Sequence, residues 1–232
     1  MTKTDFTPII IAKKAAGHAA AELVKNDMLI GLGTGSTAAF FIEALAKRCK
    51  EGLRITAVAT SNQSMRQAKS LGIPIIEASE IDTVDLTIDG ADEIDPKKNM
   101  IKGGGGALLK EKILAKSSRE MVVIVDETKL VEHLYAFPVP VEIAAFAYCT
   151  TLKRLADNGY QGKMRLNRDN SLYITDNGNY IVDIQFDSPI LDPAIENHRL
   201  KELAGVLETG LFFNLADRVI VGYEDGFAKI NM

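Results

Sequence analysis

Apolar residues recur at helical spacing from Pro8 to Lys25, where Ile11, Ala15, Ala19 and Leu23 share one face and Lys13, Lys14 and Glu22 fall on the wetter side. The short apolar run Met28-Leu29-Ile30 predicts a strand that enters a glycine turn, Gly31-Leu32-Gly33-Thr34-Gly35-Ser36-Thr37, before helical character resumes over 38–47. Strands are predicted over 55–59, 73–76 and 84–88, with a helix over 61–71 opened by a Ser/Asn cap. The loop Asp89-Gly90-Ala91-Asp92-Glu93-Ile94-Asp95 follows. Then Lys102 and a glycine run lead into a helix ending near Lys116, and Met121 to Val125 reads as a buried strand. This alternation predicts a parallel sheet with helices on its faces, a Rossmann-like α/β domain.

Past His133 the pattern changes. Phe137 to Val141 is extended, 144–156 is helical, and strands over 171–175 and 179–186 flank Asp176-Asn177-Gly178, a strong hairpin signal. A helix over 193–203 completes a small α+β unit of ferredoxin-like type, after which Leu211-Phe212-Phe213 and 218–222 return to apolar strand character. The expected division is discontinuous: 1–132 plus 210–232 form the Rossmann-like domain, and 133–209 form an inserted α+β domain.

Composition narrows the function classes. The 27 Lys+Arg against 31 Asp+Glu give a net charge of -4, and no basic run exceeds two residues, so nothing supports nucleic-acid binding. Cys49 and Cys149 stand far apart with no CxxC pair, which fits a reducing compartment. The apolar segment before Lys13 is too short for a membrane span or a secretory signal, so a cytoplasmic protein is expected.

Strand, glycine turn and helix N-terminus make anion-binding geometry, because unpaired backbone N–H groups and the helix dipole face the turn. Thr34, Ser36 and Thr37 add hydroxyls. A Walker loop is excluded because no lysine precedes Ser36, and a dinucleotide fingerprint starting at Gly31 requires glycine where Ser36 stands. A small phosphate ester and a tight turn without ligand both remain open. The four glycines after Lys102 weaken regular structure and imply that something approaches that backbone closely. Glu111 lies in the helix that follows, between Lys110 and Lys112, where it is either a solvated helix charge or a group aimed at the glycine loop.

Asp89, Asp92, Glu93 and Asp95 crowd the end of an apolar strand. An EF-hand is excluded, since its third position is Ala91 and its sixth-position glycine is missing. A magnesium site and a set of hydrogen-bonding acids for a polyol are both compatible with the sequence. For Asp95, before Pro96, a capping role is preferred. His18, His133 and His198 sit beside no nucleophile and no second histidine, so hydrolase chemistry has little support.

Taken in order and spacing, the loops 31–37, 89–95 and 102–112 closely resemble the ribose-5-phosphate isomerase type A family. The resemblance continues through Asp126-Glu127-Thr128-Lys129, 137–142, 175–179 and 210–213 and so covers nearly the whole chain. It implies interconversion of ribose 5-phosphate and ribulose 5-phosphate in the non-oxidative pentose phosphate pathway, without metal or other cofactor, by a homodimer or homotetramer. Glu111 is then the catalytic base, with Asp89, Asp92 and Lys102 contacting the sugar. Thr34, Gly35, Ser36, Thr37, Gly90, Ala91, Gly103, Gly104 and Gly105 line the substrate site, and Lys129 lies near the phosphate. Gly106 departs slightly from the family pattern, standing where another small residue is expected. The closest rival readings are an amino-sugar phosphate deaminase and a sugar-phosphate sensor without turnover.

Overall fold

Strand and helix alternate along the chain as the hydrophobic pattern predicts, in a computed structural model that describes residues 7–231. The regular elements are α1 (Pro8–Ala21), β1 (Leu29–Leu32), α2 (Ser36–Lys50), β2 (Thr56–Ala59), α3 (Asn62–Ser70), β3 (Leu86–Asp89), β4 (Glu93–Ile94) and β5 (Met100–Ile101). They continue as α4 (Leu108–Lys116), β6 (Met121–Asp126), β7 (Val139–Ile143), α5 (Tyr148–Asp157), β8 (Gly162–Met164) and β9 (Tyr180–Ile184). The last are α6 (Pro193–Lys201), β10 (Val206–Thr209), β11 (Leu211–Phe212), β12 (Arg218–Gly222) and β13 (Ala228–Asn231). Two compact units result, one of residues 7–91, 110–130 and 215–231, the other of 92–109 and 131–214.

The first unit is built on a six-stranded sheet of order β13-β12-β6-β3-β1-β2. Its first five strands in sequence pair in parallel, and β13 adds antiparallel to β12 at one edge. Side chains alternate between faces, so Ile30, Leu32, Leu86, Ile88, Val122, Ile124 and Ile220 all point to one side, where Ala16 and Ala20 of α1, Phe41, Ile42 and Leu45 of α2 and Ala68 of α3 cover them. On the other side Leu114 of α4 packs with Val58 and Val84. Each fully buried Ile, Leu or Phe contributes about 1.5–3 kcal/mol. With both faces covered, β6 is buried at all six positions, which is why it reads as an unbroken apolar run.

Local signals set the helix starts. Pro8 occupies the first turn of α1. Ser61 caps α3 by accepting from the Ser64 N–H at 3.1 Å, and Asp192 caps α6 by accepting from Ala194 and Ile195. α2 differs: it begins after Gly35 with no side-chain cap.

The second unit contains a four-stranded antiparallel sheet of order β10-β7-β9-β8. The element sequence β7-α5-β8-β9-α6-β10 in that order is the βαββαβ arrangement of a ferredoxin-like fold. A three-stranded antiparallel sheet, β11-β5-β4, belongs to the same unit. The boundary therefore differs from the expected 133–209. Residues 92–109 and 210–214 group with the second unit because β4, β5 and β11 pair with one another, and the Gly210 N–H donates to the Pro140 carbonyl of β7 at 2.6 Å.

Two strand expectations are corrected. The segment 73–76 forms only an isolated bridge, Ala57 to Ile75. Residues 171–175 are not a strand, and β9 pairs instead with β8 and β7. The tight turn at Asn177-Gly178 is nevertheless present, with the Thr175 N–H donating to Asn179 O at 2.9 Å. It is held by fully buried Glu142, whose Oε1 accepts from Thr175 Oγ1 at 3.0 Å, Asn177 Nδ2 at 3.0 Å and Asn179 Nδ2 at 2.8 Å.

Candidate active site

In the first unit the chain leaves β1 to one side through β2 and returns on the other through β3, so the sheet order reverses between β1 and β3. Open α/β sheets bind ligands outside the carboxyl ends of the strands at such a switch point. The glycine turn leaves β1 here and Asp89 ends β3.

Asp89 is fully buried, and its Oδ1 accepts from the Thr34 N–H at 3.0 Å and from the Gly90 N–H at 2.7 Å. The carboxylate lies directly on the backbone of Gly33. A methyl group there would run into the Asp89 carboxyl group and sit 2.5 Å from its Cα, so the second glycine of the turn is required by this approach. Thr34 is held in turn by a 2.7 Å hydroxyl contact with Thr60, whose hydroxyl donates to Leu32 O at 3.1 Å, and Ser64 Oγ donates to Gly33 O at 2.6 Å. Thr60 and Ser64 thus brace the turn, a role that only the fold reveals.

The uncapped N-terminus of α2 presents exposed Gly35 and Ser36 with buried Thr37. Lys13 Nζ donates to Ser36 Oγ at 2.9 Å and stands 4.0 Å from Asp126 Oδ2 at the end of β6. Lys13 was expected on the wet side of α1; its side chain is only 19% exposed. Lys13 stands three and four residues before Ala16 and Gly17, both buried, so it borders the covered face of the helix. Lys129 is half-buried at the end of a single turn, Glu127–Lys129, which Asp126 caps by accepting from the Thr128 N–H at 3.1 Å. Glu111 lies in the first turn of α4 and is 2% exposed, so the reading of it as a solvated helix charge does not hold.

Ala91 closes the 7–91 segment of the first unit, and the remaining expected residues belong to the second unit. Asp92 Oδ2 accepts from the Gly104 N–H at 2.7 Å, and a methyl group on Gly104 would come within 2.5 Å of the other Asp92 oxygen. Lys102 is 2% exposed, with Nζ 5.3 Å from the centre of the Phe212 ring. Gly103 is buried, whereas Gly104 and Gly105 are exposed.

The four acids of the loop have separated roles. Buried Glu93 accepts from the N–H groups of Tyr135 at 3.0 Å and Phe137 at 2.6 Å, which ties the strand to its own unit. Asp95 caps its turn by accepting from the Asn99 N–H at 2.8 Å. Asp89 in the first unit and Asp92 in the second are each oriented by backbone N–H groups. Among the described residues, no group of three or more His, Cys, Asp or Glu side chains is arranged to hold a metal ion, and no helix is long and apolar enough to cross a membrane.

The family model of ribose 5-phosphate isomerase A (phosphoriboisomerase A) matches residues 56–226. Ribose-5-phosphate isomerase A of Protochlamydia amoebophila is 61% identical over 230 residues, covering 99% of each chain. Among solved structures, a D-ribose-5-phosphate isomerase in complex with phospho-erythronic acid superposes with a TM-score of 0.89 at 39% identity, covering 94% of this chain and 96% of that one. Ribose 5-phosphate isomerase from Plasmodium falciparum gives 0.90 at 37% identity, over 94% and 97%.

Proposed function

This chain belongs to the ribose 5-phosphate isomerase A family and is an aldose-ketose isomerase, and from that premise we propose how its residues interconvert D-ribose 5-phosphate and D-ribulose 5-phosphate. The observation that carries the reading is the burial of Glu111 and Lys102 at opposite ends of one glycine loop and helix start, each only 2% exposed. Burying ionisable groups opposes folding unless they are paired, and a carboxylate and an ammonium held out of water beside a glycine loop are the groups a proton transfer through an enediolate requires.

The reaction removes the proton from C2 of the open-chain aldose and returns one to C1, on one face of a planar enediolate. A single carboxylate serves both transfers, and Glu111 takes that part. Negative charge grows on the O1 and O2 oxygens as the proton leaves. The Lys102 ammonium and the glycine-loop N–H groups oppose that charge, each fixed donor being worth about 3–4 kcal/mol in the transition state. Asp89 and Asp92, each oriented by backbone N–H groups, accept from sugar hydroxyls, and ring opening or movement of an oxygen-bound proton falls to the same pair. The phosphate takes the uncapped start of α2, with Ser36, Thr37, Lys13 and Lys129 as its donors.

No metal ion enters this scheme. The protein acts in the cytoplasm as a homodimer or homotetramer; sedimentation velocity of the purified chain reads the assembly directly. The activity itself is tested by following ribulose 5-phosphate formation from ribose 5-phosphate with EDTA-treated protein. Full turnover is expected; loss of turnover that magnesium restores would move Asp89 and Asp92 into a metal site.

A further inference from the structure

Arg165 follows β8, far in sequence from every residue assigned to the reaction, yet its guanidinium ends on the glycine loop of its own unit. Nη1 donates to Gly103 O at 2.8 Å and to Gly104 O at 3.1 Å. The other side of the fork is occupied by Asp183 of β9: Nε donates to Oδ2 at 2.9 Å and Nη2 to Oδ1. The pair is largely shielded, with side chains 15% and 26% exposed, and the Tyr173 ring lies with its centre 5.9 Å from the guanidinium carbon. One planar group therefore joins a carboxylate to two consecutive carbonyls, which a lysine ammonium cannot do with the same geometry.

The consequence lies in the peptide planes. A trans peptide turns its C=O and the following N–H in opposite directions, and the described chain has no cis peptide bond. Holding Gly103 O on Arg165 directs the Gly104 N–H the other way, where it meets Asp92 Oδ2 at 2.7 Å. Holding Gly104 O on the same nitrogen directs the Gly105 N–H away from the guanidinium too, and Gly105 is exposed. The turn closes through the Gly106 N–H, which donates to Gly103 O at 2.9 Å, and Arg165 adds a second donor to that carbonyl and extends the hold to Gly104 O, where glycine supplies no side chain to fix the plane.

We propose that Arg165, locked by Asp183, is a positioning residue for the isomerisation: it sets two peptide planes of the 103–106 loop so that one N–H orients Asp92 and the next is offered to a substrate oxygen. The inference rests on the site reading above. A donor rotated away from the developing charge lowers turnover more than ground-state binding, and a misplacement of about 1 Å is enough for roughly 100-fold.

The test compares wild type, Glu111→Gln, Arg165→Lys and Asp183→Asn by steady-state kinetics and thermal unfolding. Arg165→Lys is expected to lose about 10- to 100-fold in kcat with KM within about threefold of wild type. Asp183→Asn, which keeps the guanidinium but frees it, is expected to lose less, in the same parameter. Because Asp183→Asn retains the arginine, it carries the test if Arg165→Lys folds poorly. Normal kcat in the folded variants overturns the inference, as does a loss that only tracks the unfolded fraction or falls wholly on KM. If wild type does not isomerise, or Glu111→Gln turns over normally, the site reading itself has failed, an outcome separate from the behaviour of Arg165.

Discussion

Lys13 Nζ and Ser36 Oγ are joined by a 2.9 Å hydrogen bond, so the first helix delivers an ammonium group to the uncapped start of α2. That charge adds to the helix dipole and the free N–H groups of the turn. If this corner holds phosphate, Lys13→Ala removes one charge-assisted hydrogen bond, worth about 1.5–3 kcal/mol. The expected result is a KM for ribose 5-phosphate raised about 10- to 100-fold, with a smaller change in kcat. Inorganic phosphate should also inhibit the variant less than wild type, as competitive inhibition assays will read.

Gly33 and Asp89 approach each other closely at the switch point. Gly33→Ala places a methyl group against the Asp89 carboxyl group and forces either the turn or the acid to move. Overpacking of this kind costs about 1–3 kcal/mol of stability. Catalysis should suffer more than folding, because the same movement disturbs the Thr34 N–H that orients Asp89. Circular dichroism should show a folded variant with a modestly lowered melting temperature, and turnover should fall at least about 100-fold.

His18 supplies a pH signature unrelated to the active site. Partial burial holds its imidazole below the usual 6.5, with Lys14 and Lys47 pushing the same way against Glu43 and Glu22. Between the folded value and 6.5 the unfolded chain binds more protons than the folded one, so this group's contribution to stability is present above about pH 6.5 and is lost as pH falls through the folded pKa. An NMR titration of His18 should have its midpoint below 6.5, and Lys14→Ala should raise it. In His18→Gln, the rise of the urea midpoint with pH across that window should flatten.

Much of this organisation is legible in the sequence, for identifiable reasons. The parallel sheet shows because both its faces are covered, so β6 is apolar throughout, and the turn after β1 carries glycines where Asp89 lies against the backbone. The strands β4, β5 and β11 are only two residues long, too short for any periodicity, and exist through their pairing; hence residues 92–109 were expected with the wrong unit. Composition alone does not separate the acids of 89–95. Glu93 is taken by the Tyr135 and Phe137 amides, and those partners are distant in sequence. Arg165 carries no local signal for the same reason, its carbonyl partners lying about sixty residues earlier. The place of Lys13 is hard to read because the buried stripe of its helix, Ala12, Ala16, Gly17 and Ala20, is made of small residues that barely stand out as hydrophobic.

Proton transfer by Glu111 through an enediolate is the central claim, and isomerisation in D2O tests it most directly. Wild-type protein freed of metal by EDTA is expected to convert ribose 5-phosphate to ribulose 5-phosphate carrying solvent deuterium at C1. Glu111→Gln should fold, bind the sugar phosphate and lose turnover and labelling together by orders of magnitude. Near-normal turnover by Glu111→Gln, or solvent labelling at C1 that persists undiminished in that variant, would contradict the account.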